Sequence, residues 1–64
     1  MKEIERRSDG VVVLLSGDDI DMIISGLRET LEVLEDWEFH TRTGFQRAEV
    51  AQFLKQVQGL APGG

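Results

Sequence analysis

Cysteine and tyrosine are absent from these 64 residues, and proline, histidine and tryptophan occur once each. Without cysteine there are no disulfides and no thiolate zinc sites, and the redox compartment is left unmarked. A lone His40 excludes paired-histidine metal motifs. A metal would have to draw most of its ligands from carboxylates, and no carboxylate pair stands at ligand spacing. Neither a metal nor a cofactor is therefore expected. Long apolar runs are missing too: the longest, Val11 to Leu15, is far shorter than the ~18 residues of a membrane-spanning helix. The charged start Met1 to Arg7 leads into no signal-type apolar region with a small-residue cleavage site, which makes the cytoplasm the expected location. Ser16-Gly17-Asp18-Asp19 has neither the lysine nor the glycines of a phosphate-binding loop, and no nucleophile accompanies His40. The chain reads as a non-enzyme.

What is present is a folded composition, 41% hydrophobic and 30% charged, in a length that suits one domain. A chain this short buries only about 60% of the surface that its unfolded form exposes. With disulfides and metals excluded, a partner chain is the remaining support for so small a core, so a homodimer is one expectation.

The pattern of elements is strand, strand, helix, helix: a small α+β domain of ββαα type over residues 1–60, with 61–64 as a flexible tail. Ile4 to Arg7 and Val11 to Leu15 flank Ser8-Asp9-Gly10, and the Asp-Gly pair predicts a hairpin whose glycine takes the positive φ of a tight turn. The first strand is charged and reads as a guarded edge. The second is apolar on both faces, so that a second chain or the last helix is needed to cover it. Ser16 predicts a helix N-cap, with its hydroxyl accepting from Asp19 N–H and with Asp18, Asp19 and Asp21 at the positive end of the helix dipole. Ile20, Ile23, Ile24, Leu27, Leu31 and Leu34 then recur on one buried stripe. Met22, Gly26, Val33 and Trp37 form a looser line beside it, which either widens the core or makes a groove for a partner.

The last helix is expected to start after Gly44, with Gln46 as N-cap, Phe45 packing on Val50, and Glu49 reaching back to Gln46 N–H. Its buried stripe is Val50, Phe53, Leu54 and Val57. Gly59 is expected to end it, with Leu60 folding back on Leu54. Phe39 and Phe45 are expected as core plugs between the helices.

The net charge of −5 is unevenly placed. From Asp18 to Glu38 there are eight acids and one base, giving −7, while the rest of the chain carries +2. The expected functional surface is this acidic helix together with the aromatic junction that follows it: Glu29, Glu32, Glu35, Asp36, Trp37, Glu38, His40 and Arg42. Acidic side chains would steer a basic partner, and aromatic rings would anchor it. Arg42 is also placed to fold back on Glu38 or Asp36 as a clamp between the helices.

Arg42-Thr43-Gly44-Phe45-Gln46-Arg47 resembles the turn and second helix of a helix-turn-helix reader. Such a reader needs phosphate contacts, and only Arg42, Arg47 and Lys55 lie near, so nucleic acid is not the expected partner. Glu29-Thr30-Leu31-Glu32, Asp36-Trp37-Glu38-Phe39 and Thr41-Arg42-Thr43-Gly44-Phe45 resemble a pattern in small uncharacterised bacterial proteins. The resemblance covers roughly half the chain and implies a bacterial or phage setting. It brings no activity with it and transfers no functional residue. The expectation is thus a small protein-binding module that works by occupying a partner, as immunity proteins, antitoxins and inhibitors do; the alternatives are a homodimer whose function lies in assembly and, behind it, a helix-turn-helix-like nucleic-acid binder.

Overall fold

The computed structural model describes residues 1–61. The chain is an α+β domain, a two-stranded antiparallel hairpin of β1 (Lys2–Arg7) and β2 (Gly10–Leu14) followed by the helices α1 (Gly17–Val33), α2 (Asp36–Thr43) and α3 (Arg47–Gln58). The expected tail falls largely on residues 62–64, outside the described part. Among the described residues no helix is long and apolar enough to cross a membrane.

The hairpin forms where the sequence places it, but its turn is shifted by one residue. Arg7 pairs with Gly10, so Ser8 and Asp9 make the two-residue loop and Gly10 is already strand. Gly44 is the one glycine at positive φ among the described residues, so Gly10 does not supply the left-handed turn expected of it. Ser-Asp suits a turn with negative φ throughout.

In β1, Glu3 and Glu5 face the consecutive residues Val13 and Val12, which makes Ile4 the extra residue of a β-bulge. The bulge changes which side chains share a face. Glu3 and Arg6, three apart and thus on opposite sides of a regular strand, come to lie on the same side and pair at 2.7 Å. Glu5 and Arg7 pair at 2.5 Å on the other side.

Every residue of both strands is exposed. Neither strand comes within 8 Å, Cα to Cα, of any helix. The last helix therefore does not cover the apolar second strand. The molecule is correspondingly spread out, about 37 × 32 × 15 Å with a radius of gyration of 13.4 Å, where a compact chain of this length would have about 11 Å.

α1 begins as its sequence predicts. Ser16 Oγ accepts from Asp19 N–H at 3.1 Å and the Asp19 carboxylate accepts from Ser16 N–H at 3.0 Å, so two otherwise unpaired helix-start donors are satisfied reciprocally. Its inner stripe packs on α3: Ile20 is buried, and Ile23, Ile24, Leu27, Leu31 and Leu34 are half-buried. The line Met22, Gly26 and Val33 is exposed, on the opposite side of α1, and does not widen the core. Among the described residues the fully buried core is small, consisting of Ile20, Phe39 and Val57.

The acidic segment is not one helix. Leu34 leaves α1 in an extended conformation, and Glu35 starts a separate helix, with the Glu38 carboxylate accepting the Glu35 N–H at 2.9 Å. Glu35-Asp36-x-Glu38 is thus a helix start, acids at the positive end of a dipole, rather than the continuation of α1. The domain has three helices where two are expected from the sequence, because the aromatic junction is itself helical. Gly44 (φ 80°) closes α2 in the left-handed conformation with its N–H on His40 C=O at 2.8 Å.

Of the expected core plugs, Phe39 is 1% exposed, whereas Phe45 is 57% exposed. Phe53, expected on the buried stripe of α3, is 52% exposed. Gly59 does follow α3, but in a right-handed conformation, and Leu60 is exposed rather than folded back. The exposure of Phe45 and Phe53 follows from the thinness of the helical unit: α3 has only α1 and the tip of α2 to pack on, so its flank stays open.

Candidate functional site

The junction from α1 to α3 is organised by Arg47, the first residue of α3. Its Nε donates to Asp36 Oδ1 at 2.6 Å, its Nη1 to Leu31 C=O at 2.5 Å, and its Nη2 to Leu34 C=O. The guanidinium lies 4.9 Å from the centroid of the buried Phe39 ring. One side chain therefore joins all three helices. α1 has no base of its own in its last turn, and Arg47 supplies the cation that its carbonyl end favours.

Arg42 does not have that role. Its Nε reaches Glu38 at 3.2 Å, four residues back on the same helix, and both ends of that pair belong to α2. An exposed pair within one helix cannot set the angle between two helices. Thr43 secures the exit of α2 instead: its hydroxyl donates to Phe39 C=O at 2.8 Å and accepts from Phe45 N–H at 3.0 Å.

Trp37 is 80% exposed. It sits two residues before Phe39 and four before Thr41, which puts it on the outward side of α2 when Phe39 is inward. His40 and Arg42 are exposed on the same short helix. Glu29 and Glu32 stand exposed near the end of α1, Glu35 and Asp36 exposed at the start of α2, and Glu38 is partly buried by its capping contacts. The eight expected residues therefore lie along one continuous stretch around the α1–α2 break, on two helices rather than one.

The acids separate by use. Asp18 and Asp19 occupy the first turn of α1, Asp36 and Glu38 the first turn of α2, and Glu35 its N-cap, all positions where the dipole rewards a negative charge. Contact with the Met1 ammonium at 2.7 Å, followed by the Ser16 N–H and hydroxyl, holds the Asp19 carboxyl down to about 2. The Glu35 N–H, and then Arg42, lower that of Glu38. Glu29 and Glu32 have no such role. They lie toward the C-terminal end of α1, where the dipole disfavours them, and make no ion pair among the described residues.

A second feature is an apolar groove of about 460 Å³ between α1 and α3, lined by Leu27, Phe45, Val50 and Phe53 with Glu49 at its edge. The Glu49 carboxylate is occupied with Gln46 N–H at 3.1 Å, as the sequence predicts. Among the described residues no three His, Asp or Glu side chains converge on a common point.

α2, the three-residue turn 44–46 and α3 have the outline of a helix-turn-helix, but the basic residue at the start of α3 is Arg47, whose guanidinium is engaged inward. Ala48, Glu49 and Gln52 are what that helix start offers outward, with no free cation for a phosphate.

Sequence reasoning missed Arg47. Its partners are mostly backbone carbonyls 13 and 16 residues away, which no side-chain pattern encodes. One signal was available: an arginine at the positive end of a helix dipole is locally misplaced, so it must be employed elsewhere. Compared with models of protein families, with curated proteins and with solved structures, the chain finds no match.

Proposed function

We propose that this protein is a small non-catalytic protein-binding module of bacterial or phage origin, which acts by occupying a partner in the manner of an immunity protein, antitoxin or inhibitor. The observation that carries the reading is Trp37, the sole tryptophan, standing 80% exposed on the outer side of α2. Burying a tryptophan is among the most favourable single events an interface offers, and exposing one without use is costly to solubility. Glu29 and Glu32 support the same reading, since the fold gains nothing from acids at that end of α1. With Glu35 and Asp36 they give the neighbourhood of Trp37 a negative potential suited to a basic partner surface, and His40 and Arg42 form the polar rim beyond it.

The test is affinity capture from the native host with tagged wild type, Trp37→Ala, and Glu29→Lys/Glu32→Lys. A partner should be retained by wild type, lost by Trp37→Ala, and weakened by the double lysine variant in a salt-dependent way. A partner held equally by all three would refute the reading. The spread-out shape favours a second reading, a homodimer whose function lies in assembly; a Trp37 shielded from quencher with no other protein present would support it.

A further inference from the structure

We propose that the free edge of β2 pairs antiparallel with β2 of a second copy, about a two-fold axis at Val12, to give a four-stranded sheet in the order β1-β2-β2-β1. This goes beyond the Trp37 reading and does not depend on it.

The two edges of the hairpin are built differently. β1 carries Lys2, Glu3, Glu5, Arg6 and Arg7 and a bulge at Ile4, the devices by which natural sheets prevent strand addition. β2 is Gly10-Val11-Val12-Val13-Leu14, with no charge and no proline, and the bulge is not on it. One edge is guarded and the other is open.

The open edge is complementary to itself. Antiparallel pairing about Val12 sets Val12 against its counterpart, Val11 against Val13, and Gly10 against Leu14, so no like charges oppose one another. Residues directly opposite share a face, as Val11 does with Arg6 and Val12 with Glu5 within the hairpin. In the paired sheet one face thus carries Val11 and Val13 from both copies, and the other Val12 and Leu14 from both. The hairpin is also electrically balanced, since Lys2, Arg6 and Arg7 match Glu3, Glu5 and Asp9. The paired hairpins therefore bring no net charge against net charge, although each copy carries −5.

Surface area supports association of this kind. The chain exposes 5212 Å² at 7.2 kDa, against about 4,100 Å² for a compact monomer of that mass. The excess is apolar in large part, and the exposed side chains of β2, Val11 to Leu14, contribute to it. An isolated two-stranded hairpin is at best marginal in water, and no helix of its own chain covers this one.

The chain has no cysteine, so a single introduced thiol gives a clean test. Opposed residues in an antiparallel pair have Cα atoms about 4.5–5.5 Å apart, within the ~4.4–6.8 Å that a disulfide spans. Val12→Cys should form a covalent dimer rapidly under mild oxidation, and Gln52→Cys on the exposed side of α3 should not. By sedimentation equilibrium the wild type should be dimeric, and Val12→Lys should weaken the dimer about tenfold or more, because like charges would then oppose, with the helical circular dichroism unchanged. Trp37→Ala should leave the dimer intact. The proposal is overturned by a wild type that stays monomeric at high concentration, by Val12→Cys cross-linking no faster than Gln52→Cys, or by a dimer that survives Val12→Lys but is lost in Trp37→Ala.

Discussion

Replacing Arg47 with alanine removes the side chain whose hydrogen bonds tie α3 to α1 and α2, and its cost can be worked from the contacts. Two hydrogen bonds from a charged donor to the carbonyls of Leu31 and Leu34 are worth about 1.5–3 kcal/mol each when fully desolvated. Arg47 is about one-third exposed, and both carbonyls end a helix where water can replace the donor, so the lower bound applies. Stacking on Phe39 adds about 0.5–1 kcal/mol. The pair with Asp36, whose side chain is almost fully exposed, adds about 0–1 kcal/mol. These terms share one side chain and are not additive, which leaves roughly 2–4 kcal/mol. At about 4–8 °C per kcal/mol for a domain of this size, the midpoint should fall by at least about 8 °C in thermal unfolding followed by circular dichroism. Two comparison variants separate the contributions. Arg47→Lys keeps the charge but lacks the planar fork, and should recover less than half of the loss. Asp36→Asn removes only the exposed pair and should cost under about 1 kcal/mol. If Arg47→Ala were no less stable than Asp36→Asn, the carbonyl contacts would carry no weight and the account of the junction would be wrong.

Phe39→Ala empties the most buried position and should cost about 3–5 kcal/mol, enough to abolish the cooperative transition in urea; a retained transition would mean that the core lies elsewhere. Gly44→Ala meets no atom, so its cost is the left-handed backbone alone, about 1–2 kcal/mol; Gly26→Ala, exposed within α1 and equally unobstructed, should instead stabilise by about 0.5–1 kcal/mol, and thermal midpoints moving in the same direction for both would contradict the assignment. Asp19 should shape the acid limb of stability. Its carboxyl is lowered in the folded chain from 3.8 to about 2, so its contribution is complete above pH 3.8 and is lost as pH falls through about 2. Urea midpoints measured across that window should decline less steeply in Asp19→Asn, and identical slopes would count against the contact with Met1 and Ser16.

The parts of the fold legible in the sequence are those encoded by neighbours along the chain. The stripe from Ile20 to Leu34 is a period, the Ser16 and Gln46 caps are three-residue motifs, and the hairpin is an alternation broken by turn residues; each is local chemistry that tertiary context had no reason to override. The turn was misread by one residue because Asp9-Gly10 and Ser8-Asp9 both serve a two-residue loop, and the bulge at Ile4, which shifts the register, leaves no compositional mark. α2 was hidden because Glu35, Asp36 and Glu38 continue the acidic run of α1, and acids at a helix start look the same as acids on a helix face until the break at Leu34 is seen. Phe53 is expected in the core from the period of α3 and Phe45 from its place before the Gln46 cap, whereas burial depends on whether there is a facing element, and here α1 leaves that side of α3 as an open groove. Of the candidate site, Trp37 was legible as a singular residue, but its exposure was not.

Asp19 connects the two halves of the molecule, and this follows from its doing two things with one carboxylate. It caps α1 through the Ser16 N–H and holds the Met1 ammonium at the root of β1, and the same oxygen, Oδ2, takes part in both contacts. No strand residue comes within 8 Å of a helix, Cα to Cα, so this carboxylate, together with the short link through Leu15 and Ser16, ties the hairpin's start to α1. The helical unit is in turn closed by Arg47 at its far end, away from the hairpin, so the two devices act on different parts of the fold. A chain arranged in this way exposes the β2 edge and Trp37 on separate parts of the fold. Loss of the Asp19 contact would free the hairpin without opening the core around Phe39, whereas loss of Arg47 would open the core while leaving the β2 edge as it is.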